Sequence, residues 1–259
     1  MERIDKFIAD RTELSRKEVR NVLKKGEVKV NEEIITDPSY KTDPDSDIIL
    51  FRQRELVYRK NTYIMLNKPD GIVCSTKDGI SQTVMSLVPD HLHISGLFPA
   101  GRLDKDSKGF VFLTDDGELA HRMLSPKKHI AKYYLVKLKK DYDPAYQDIF
   151  AFGMEIDGGE ICLPAKVQGF SEDRRFAFVE LFEGKYHQIK RMFSAVGNEV
   201  EVLFRTRIGN LEIDNRLLPG ECLELLNNDI AKMLSKIDFT EAYSYTQKSF
   251  WSYLINNNL

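Results

Sequence analysis

The nonapeptide GRLDKDSKG, residues 101–109, places two carboxylates among three basic side chains, with a glycine at each end. Glycine permits backbone angles that other residues avoid, so the segment predicts a shaped loop, and loops on a rigid scaffold often carry catalytic groups. The neighbouring positive charges favour the ionised form of Asp104, which a nucleophile requires. Two other interpretations stay open: a surface ion pair, and the D-x-D pattern with which some sugar-nucleotide transferases hold a divalent metal.

The segment HQIKRM, residues 187–192, adds further polar side chains. Its apolar residues fall on one face of a helix, which leaves Lys190 and Arg191 elsewhere on the helix surface. We expect His187 to position the turn before this helix rather than to exchange protons, because a lone histidine is usually structural.

The elements that must position these groups are mostly strands. Four runs rich in aromatic and β-branched residues and bounded by Gly, Pro or Asp predict strands: YIMLNKP, FVFLTDDG, KYYLVKLK and RFAFVELFEG. Helical patterns intervene at residues 118–124 and 188–196, each followed by a stop signal. The sequence therefore predicts an α+β domain with helices flanking a mixed, mostly antiparallel sheet.

The N-terminal segment predicts a separate small unit of two helices, near residues 2–10 and 16–25, followed by a short strand ribbon that ends near Phe51. Ser15 and Glu18 have the spacing of a capping box, and Gly26 is placed to end the second helix. The polar and charged residues 52–61 indicate a linker.

Charge and cysteine content narrow the class of protein. The formal net charge is -2, yet residues 122–140 hold seven Lys or Arg and no acid, and residues 11–29 hold seven bases against three acids. Such local basic patches suit a polyanionic partner although the net charge is slightly negative.

The three cysteines are far apart and lack C-x-x-C spacing, which argues against a disulfide framework or a zinc site. With no export signal or apolar span, we expect a cytoplasmic protein without membrane contact.

Residues 1 to about 50, with SRKEV and the turn GEVKVN, resemble an S4 domain, a small module that binds structured RNA. The resemblance implies that basic residues on the second helix contact RNA phosphates, which would give salt-dependent affinity with little base information. These residues are Arg16, Lys17, Arg20 and Lys24. A merely solvated charged face is the alternative.

A second resemblance covers the larger part of the chain. FPAGRLDKDSKGFVFLTDDGELAHRMLSPKKHIAKYYLV, residues 98–136, and EGKYHQIKRMFSAVGNEV, residues 183–200, resemble the signature regions of RsuA-type pseudouridine synthases, which also carry an N-terminal S4 domain. These enzymes convert a uridine within RNA to its carbon-linked isomer, and the resemblance implies that no cofactor or metal is needed.

The resemblance assigns roles to residues of the site. Asp104 would be the catalytic carboxylate, and Lys190 the cation that pairs with it. Arg102 would enter the base stack when the target uridine flips out, because a base inside a helix cannot be reached. Tyr134 would stack on the uracil, provided that strand alternation turns it and not Tyr133 toward the site.

Further basic residues would attract the RNA backbone near the active cleft. They are Lys127, Lys128 and Lys132, with Arg205 of the segment LFRTR. Asp106 and Ser107 would brace the loop around Asp104.

The resemblance also implies a substrate, ribosomal RNA. It favours one uridine of 16S rRNA, of the uridine-516 type, within an assembling small subunit, and a monomeric enzyme. The alternatives are a 23S rRNA synthase of the same family and a non-catalytic S4-domain assembly factor.

The expected domains are an S4 domain at residues 1–51, the linker at residues 52–61 and a catalytic domain at residues 62–235. Residues 236–259 extend past the resemblance, and the sequence assigns them no function.

Overall fold

The computed structural model of the chain describes residues 1–12, 14–43, 46–56, 61–125, 130–257 and 259. The chain divides into two compact units, Met1–Lys60 and Asn61–Leu259. All three cysteines are free. Among the helices in these ranges, none has the length and apolar character that a membrane crossing requires.

Two helices and short antiparallel strands form the first unit. Apolar side chains of both helices pack with those of the strands in one core, which includes Phe7, Leu23 and Ile49. A four-stranded sheet has the order β3-β2-β5-β6, and β6 lies within the range that the sequence predicts as linker. The elements are β1 (Glu2–Arg3), α1 (Ile4–Ala9), α2 (Arg16–Lys24), β2 (Val28–Val30), β3 (Glu33–Ile34), β4 (Lys41–Thr42), β5 (Ile49–Phe51) and β6 (Arg54–Glu55).

Helix α2 begins and ends where the sequence predicts. The Ser15 hydroxyl accepts a hydrogen bond from the Glu18 amide at 3.4 Å, and the Glu18 carboxylate accepts one from the Ser15 amide at 2.8 Å. The capping box therefore satisfies two amides at the helix start. Beyond the helix end, Gly26 has a φ of +71°, a value that favours glycine.

The second unit is a mixed sheet with helices on both faces. Its elements are β7 (Tyr63–Lys68), two 3₁₀ helices (Val84–Leu87 and Asp90–Leu92), β8 (Phe98–Ala100), β9 (Lys108–Thr114), α3 (Gly117–Leu124), β10 (Lys132–Leu138), α4 (Tyr146–Ala151), β11 (Glu155–Ile156), β12 (Glu160–Ile161), β13 (Lys166–Gly169), β14 (Phe176–Leu181), α5 (Gln188–Ala195), β15 (Val200–Ile208), β16 (Leu211–Glu212), β17 (Cys222–Glu224), α6 (Asn227–Leu234) and α7 (Phe239–Asn257).

The sheet follows the path β13-β14-β10-β15-β9-β7-β17, with β8 beside β9 and β16 beside β15. Every described pair is antiparallel except β9 with β15, which is parallel. This arrangement confirms the predicted α+β class with its mixed, mostly antiparallel sheet. The four strands read from the aromatic runs are β7, β9, β10 and β14.

Alternating residues of the central strands enter two separate cores. On β9, Val111 and Leu113 join the core that contains Met192 of α5, whereas Phe110 and Phe112 join the core that contains helix α7. The residue before Asp104, Leu103, lies in the first of these cores. The face that carries the candidate site is therefore opposite the face that α7 covers.

Residues 236–259, to which the sequence assigns no function, include helix α7. Its apolar side chains at helical spacing are buried in the second core, and Phe250 stacks on Phe170 with 4.7 Å between ring centroids. At the end of the helix, the Asn67 side chain of β7 donates a hydrogen bond to Asn257 Oδ1 at 2.8 Å. Helix α7 is thus an integral layer of the second unit.

The Asn257 contact leads to a stability prediction. We expect Asn257→Ala to lower the free energy of unfolding by ~1–3 kcal/mol, because the buried Asn67 amide loses an acceptor. Asn256→Ala is the matched control, since this side chain bonds the Asn215 carbonyl at the exposed surface. The control should cost ~0.5 kcal/mol or less. Urea unfolding followed by circular dichroism measures both, and equal losses would contradict a buried, specific contact.

Candidate active site

The GRLDKDSKG loop connects β8 to β9 and passes very close to β15. Gly101 and Gly109 have φ angles of +86° and +98°, both in the region that favours glycine. A Cβ atom on Gly109 would lie 2.5 Å from the Arg205 carbonyl oxygen. The loop therefore needs Gly109 both for its backbone angle and for its approach to the neighbouring strand.

Lys68, at the end of β7, holds the loop from inside. Its side chain is fully buried, and its Nζ donates to the carbonyl oxygens of Pro69 at 3.0 Å, Lys105 at 2.9 Å and Ser107 at 2.6 Å. Burial lowers the pKa of Lys68 to about 8. Sequence reasoning missed this residue; the available signal is a lysine at the end of a strand that begins with four aromatic or apolar residues.

Arg205 holds the same loop from β15. Only 2% of the residue is exposed, and its guanidinium donates to the carbonyl oxygens of Phe110 at 2.7 Å and Gly101 at 2.6 Å. The prediction that Arg205 contacts the RNA backbone is therefore wrong for the described structure. Its fixed charge instead satisfies backbone acceptors beneath the loop.

Asp104 is partly exposed and has a cationic or ionisable side chain near each carboxylate oxygen. Its side chain is 27% exposed, Lys190 Nζ lies 3.9 Å from Oδ2, and His187 Nε2 lies 3.6 Å from Oδ1. These groups flank the carboxylate without enclosing it. The resemblance predicts Lys190 near Asp104, and the sequence predicts for His187 only a positioning role in the turn.

Lys190 makes its short contacts with Asp106 rather than Asp104. Its Nζ donates to both Asp106 carboxylate oxygens at 2.6 Å. Burial alone would raise the pKa of Asp106, but the hydrogen bonds and charge of Lys190 outweigh it, so this pKa lies below its usual value. In the D-x-D interpretation a metal ion would lie beside Asp104 and Asp106. The Lys190 ammonium group lies there instead.

The turn before α5 is fixed by several hydrogen bonds. His187 has φ 49° and ψ 33°, in the left-handed region. The buried Gln188 side chain accepts from the Lys185 amide at 3.0 Å and donates to the Glu183 carboxylate at 2.8 Å. These contacts hold the backbone that presents His187 and Lys190 to the loop.

Tyr133 and Tyr134 lie on opposite faces of the sheet. Tyr134, which is 7% exposed, belongs to the core that contains Leu103, and its hydroxyl forms no hydrogen bond with any described residue. Tyr133 belongs to the core that contains α7, and its hydroxyl donates to the Ile237 carbonyl. Strand alternation therefore turns Tyr134, and not Tyr133, toward the loop face.

The remaining predicted residues have different surroundings. Arg102 is exposed and forms no hydrogen bond or ion pair within the described ranges. Lys132 is only 7% exposed, which is not the position of an open surface cation. Lys127 and Lys128 fall outside the described residues.

In the first unit, the four basic residues of α2 are exposed, and Arg20 lies 3.6 Å from Asp5.

The burial of Lys132 leads to a prediction on stability and pH. Burial first, and then the charge of Arg205, lower the pKa of Lys132 to about 8 from a usual value of 10.5. Between these values the unfolded chain binds more protons than the folded protein, so this group makes stability rise with pH in that window. At pH 7 the lysine is charged in both states and the folded state bears the cost of burial.

We therefore expect Lys132→Met to raise the free energy of unfolding at pH 7 by ~1–3 kcal/mol. The gain should shrink between pH 8 and pH 10.5 and be nearly gone at the upper limit. Lys137→Met on the same strand, at a half-buried position, is the control and should show no such trend. Urea unfolding across this pH range is the measurement, and a gain independent of pH would contradict the assignment to charge burial.

Comparison with known proteins gives two family matches. An S4 domain matches residues 2–48, and RNA pseudouridylate synthase matches residues 62–195. A solved structure described as a pseudouridylate synthase superposes with a TM-score of 0.62 at 37% identity. The match covers 90% of this chain and 100% of that one.

Several relatives are similar over nearly their whole length. The chain is 40% identical to the ribosomal small subunit pseudouridine synthase A of Vibrio cholerae, over 89% of this chain and 99% of that protein. The protein of the same name in Escherichia coli is 36% identical, over 90% and 100% of the two chains. An uncharacterized RNA pseudouridine synthase of Bacillus subtilis is 41% identical, over 88% and 96%. The chain therefore belongs to the RNA pseudouridylate synthase family, in its RsuA-type branch with an S4 domain, and is an isomerase of uridine in RNA.

Proposed function

We propose that this enzyme converts one uridine of 16S rRNA, of the uridine-516 type, to pseudouridine, with Asp104 as its catalytic carboxylate. The observation that carries the proposal is the position of Asp104. It is partly exposed on a loop fixed by Lys68 and Arg205, with Lys190 and His187 near its two oxygens. The choice of small-subunit RNA rests on the relatives named ribosomal small subunit pseudouridine synthase A.

The reaction breaks the bond between N1 of uracil and C1′ of ribose and forms a bond between C5 and C1′. The proton on C5 leaves and N1 gains one, so that the composition of the RNA is unchanged. An ionised Asp104 could add covalently to the sugar or the base, or remove the 2′ proton of ribose, and each route needs its negative charge. Positive charge from Lys190 stabilises that carboxylate before the reaction.

Access to the target requires the uridine to leave the RNA stack. Arg102 is the side chain that takes its place, since its guanidinium is exposed and unpaired within the described part of the chain. Tyr134 stacks on the flipped uracil from the loop face of the sheet, and its hydroxyl is free of protein partners in the same ranges. Stacking of this kind is worth ~1–3 kcal/mol per base.

The first unit binds the rRNA backbone through α2. Arg16, Lys17 and Lys24 are exposed and form no ion pair with the described residues, so their charges are available for phosphates. Arg20 forms an ion pair with the buried Asp5. We propose that the enzyme acts as a cytoplasmic monomer on an assembling small subunit, with Lys127 and Lys128 also near the RNA.

The experiment that tests this function is a map of pseudouridines in ribosomal RNA from a strain that lacks the gene. We expect one pseudouridine to be lost from 16S rRNA and restored by the wild-type gene but not by the Asp104→Asn variant. Loss from 23S rRNA instead would overturn the choice of subunit. Restoration by the variant would overturn the role of Asp104, and an unchanged map would overturn an rRNA substrate.

A further inference from the structure

An exposed aromatic side chain lies at the edge of the Asp104 site. Tyr186 is 75% exposed, and its ring stacks on the His187 ring with 3.8 Å between centroids and 18° between planes. His187 in turn lies 3.6 Å from Asp104. The two rings therefore form a stack that begins beside the carboxylate and ends in solvent.

The backbone under this stack is held in place. The Tyr186 carbonyl accepts a hydrogen bond from Arg191 at 3.1 Å, and Arg191 also bonds the side chains of Asp157 and Glu160. His187 keeps its left-handed backbone angles at the start of α5. A non-glycine residue in that region is held there by its surroundings, so the turn fixes where the two side chains leave the backbone.

Protein packing does not account for the Tyr186 side chain. Its ring belongs to none of the three apolar cores, and its hydroxyl forms no hydrogen bond with any described residue. One ring face contacts His187 and most of the side chain remains open. An aromatic ring with an open face, four residues before Lys190 in the chain, suits a planar ligand attached to a polyanion.

We propose that the Tyr186–His187 stack is a platform for an unpaired nucleobase next to the target uridine in the RNA chain. The inference rests on the proposed function and adds a second base-binding subsite to it. When the target uridine flips out, its neighbour loses a stacking partner, which costs free energy. The Tyr186 ring replaces that partner and so favours the open form of the RNA.

The first test compares variants of Tyr186 in the full chain. The substrate is an RNA segment that carries the uridine mapped in the deletion strain, whichever subunit contains it. Tyr186→Ala should lower kcat/KM about 5- to 150-fold, as expected for one lost base–aromatic stack. Tyr186→Phe should stay within about twofold of the wild type, because it keeps the ring. Tyr245→Ala removes a half-exposed tyrosine of α7 and should have no effect.

The second test locates the base. It uses a series of substrates, each of which lacks the base at one position flanking the target. The wild type should lose activity with one substrate of the series, and Tyr186→Ala should lose no further activity with that substrate. Additive losses at every flanking position, or full activity of Tyr186→Ala, would overturn the platform. A loss seen only on protein-containing subunits, and not on naked RNA, would also overturn it in favour of a protein contact. An inactive wild type would instead overturn the proposed function.

Discussion

Asp104→Asn is expected to abolish pseudouridine formation, with a loss in rate of ~10³-fold or more. Asparagine has nearly the same shape as aspartate, so the loop held by Lys68 and Arg205 should keep its structure. What is lost is the negative charge that nucleophilic addition or proton removal requires. Tritium release from RNA labelled at C5 of uridine measures the reaction, and the Kd for RNA should change less than about threefold.

Asp106→Asn is the matched control for this prediction. The side chain stands two positions away, carries the same charge and holds Lys190 with both oxygens. Its replacement weakens the anchoring of Lys190 but leaves the Asp104 carboxylate present, so we expect a loss of about tenfold or less. If both variants lost activity equally, or if Asp104→Asn stayed active, Asp104 would not be the reacting group.

Gly109→Ala is expected to destabilise the second unit by ~3 kcal/mol or more. The new Cβ would lie 2.5 Å from the Arg205 carbonyl oxygen and 2.9 Å from its amide nitrogen, and φ is +98°. Neither obstacle can be relieved by a side-chain rotation, because the atoms in the way belong to the backbone of β15. The parallel pairing of β9 with β15 at this residue would have to open.

Gly117→Ala is the control for Gly109→Ala. This glycine begins α3, has no positive φ, and a Cβ there would meet no atom within 4 Å. Alanine should therefore leave stability unchanged or raise it by ~0.4–1 kcal/mol. Soluble yield and urea unfolding distinguish the two variants. A Gly109→Ala protein as stable as the wild type would contradict the close approach of loop and strand.

Local patterns in the sequence were sufficient for the strands of the sheet and for helix α2. Aromatic and β-branched runs bounded by breakers predict β7, β9, β10 and β14, because such residues suit a pleated, buried surface. The capping box predicts the start of α2 because its two hydrogen bonds are local. The sequence pattern does not predict helix α7. Its buried residues recur at helical spacing, but exposed aromatic side chains such as Trp251 interrupt the apolar pattern.

Long-range contacts determine the features of the site that local sequence patterns do not predict. The segment LFRTR reads as a basic surface patch, yet β15 is a central strand, and Arg205 is buried because backbone carbonyls of the GRLDKDSKG loop accept its hydrogen bonds. The resemblance predicts Lys190 beside Asp104, but the short contacts of Lys190 go to Asp106, 84 residues earlier in the chain. The geometry of the loop decides whether Lys190 pairs with Asp104 or with Asp106. Residue types alone do not predict that geometry.

The contact between Asn67 and Asn257 joins the first strand of the second unit to its last helix, 190 residues apart. During synthesis, the face of the sheet under α7 therefore stays uncovered until nearly all of this unit has left the ribosome. The first unit has an apolar core of its own within residues 1–60 and can fold long before. The nascent chain thus acquires its small module early and its catalytic module only after α7 has been synthesised.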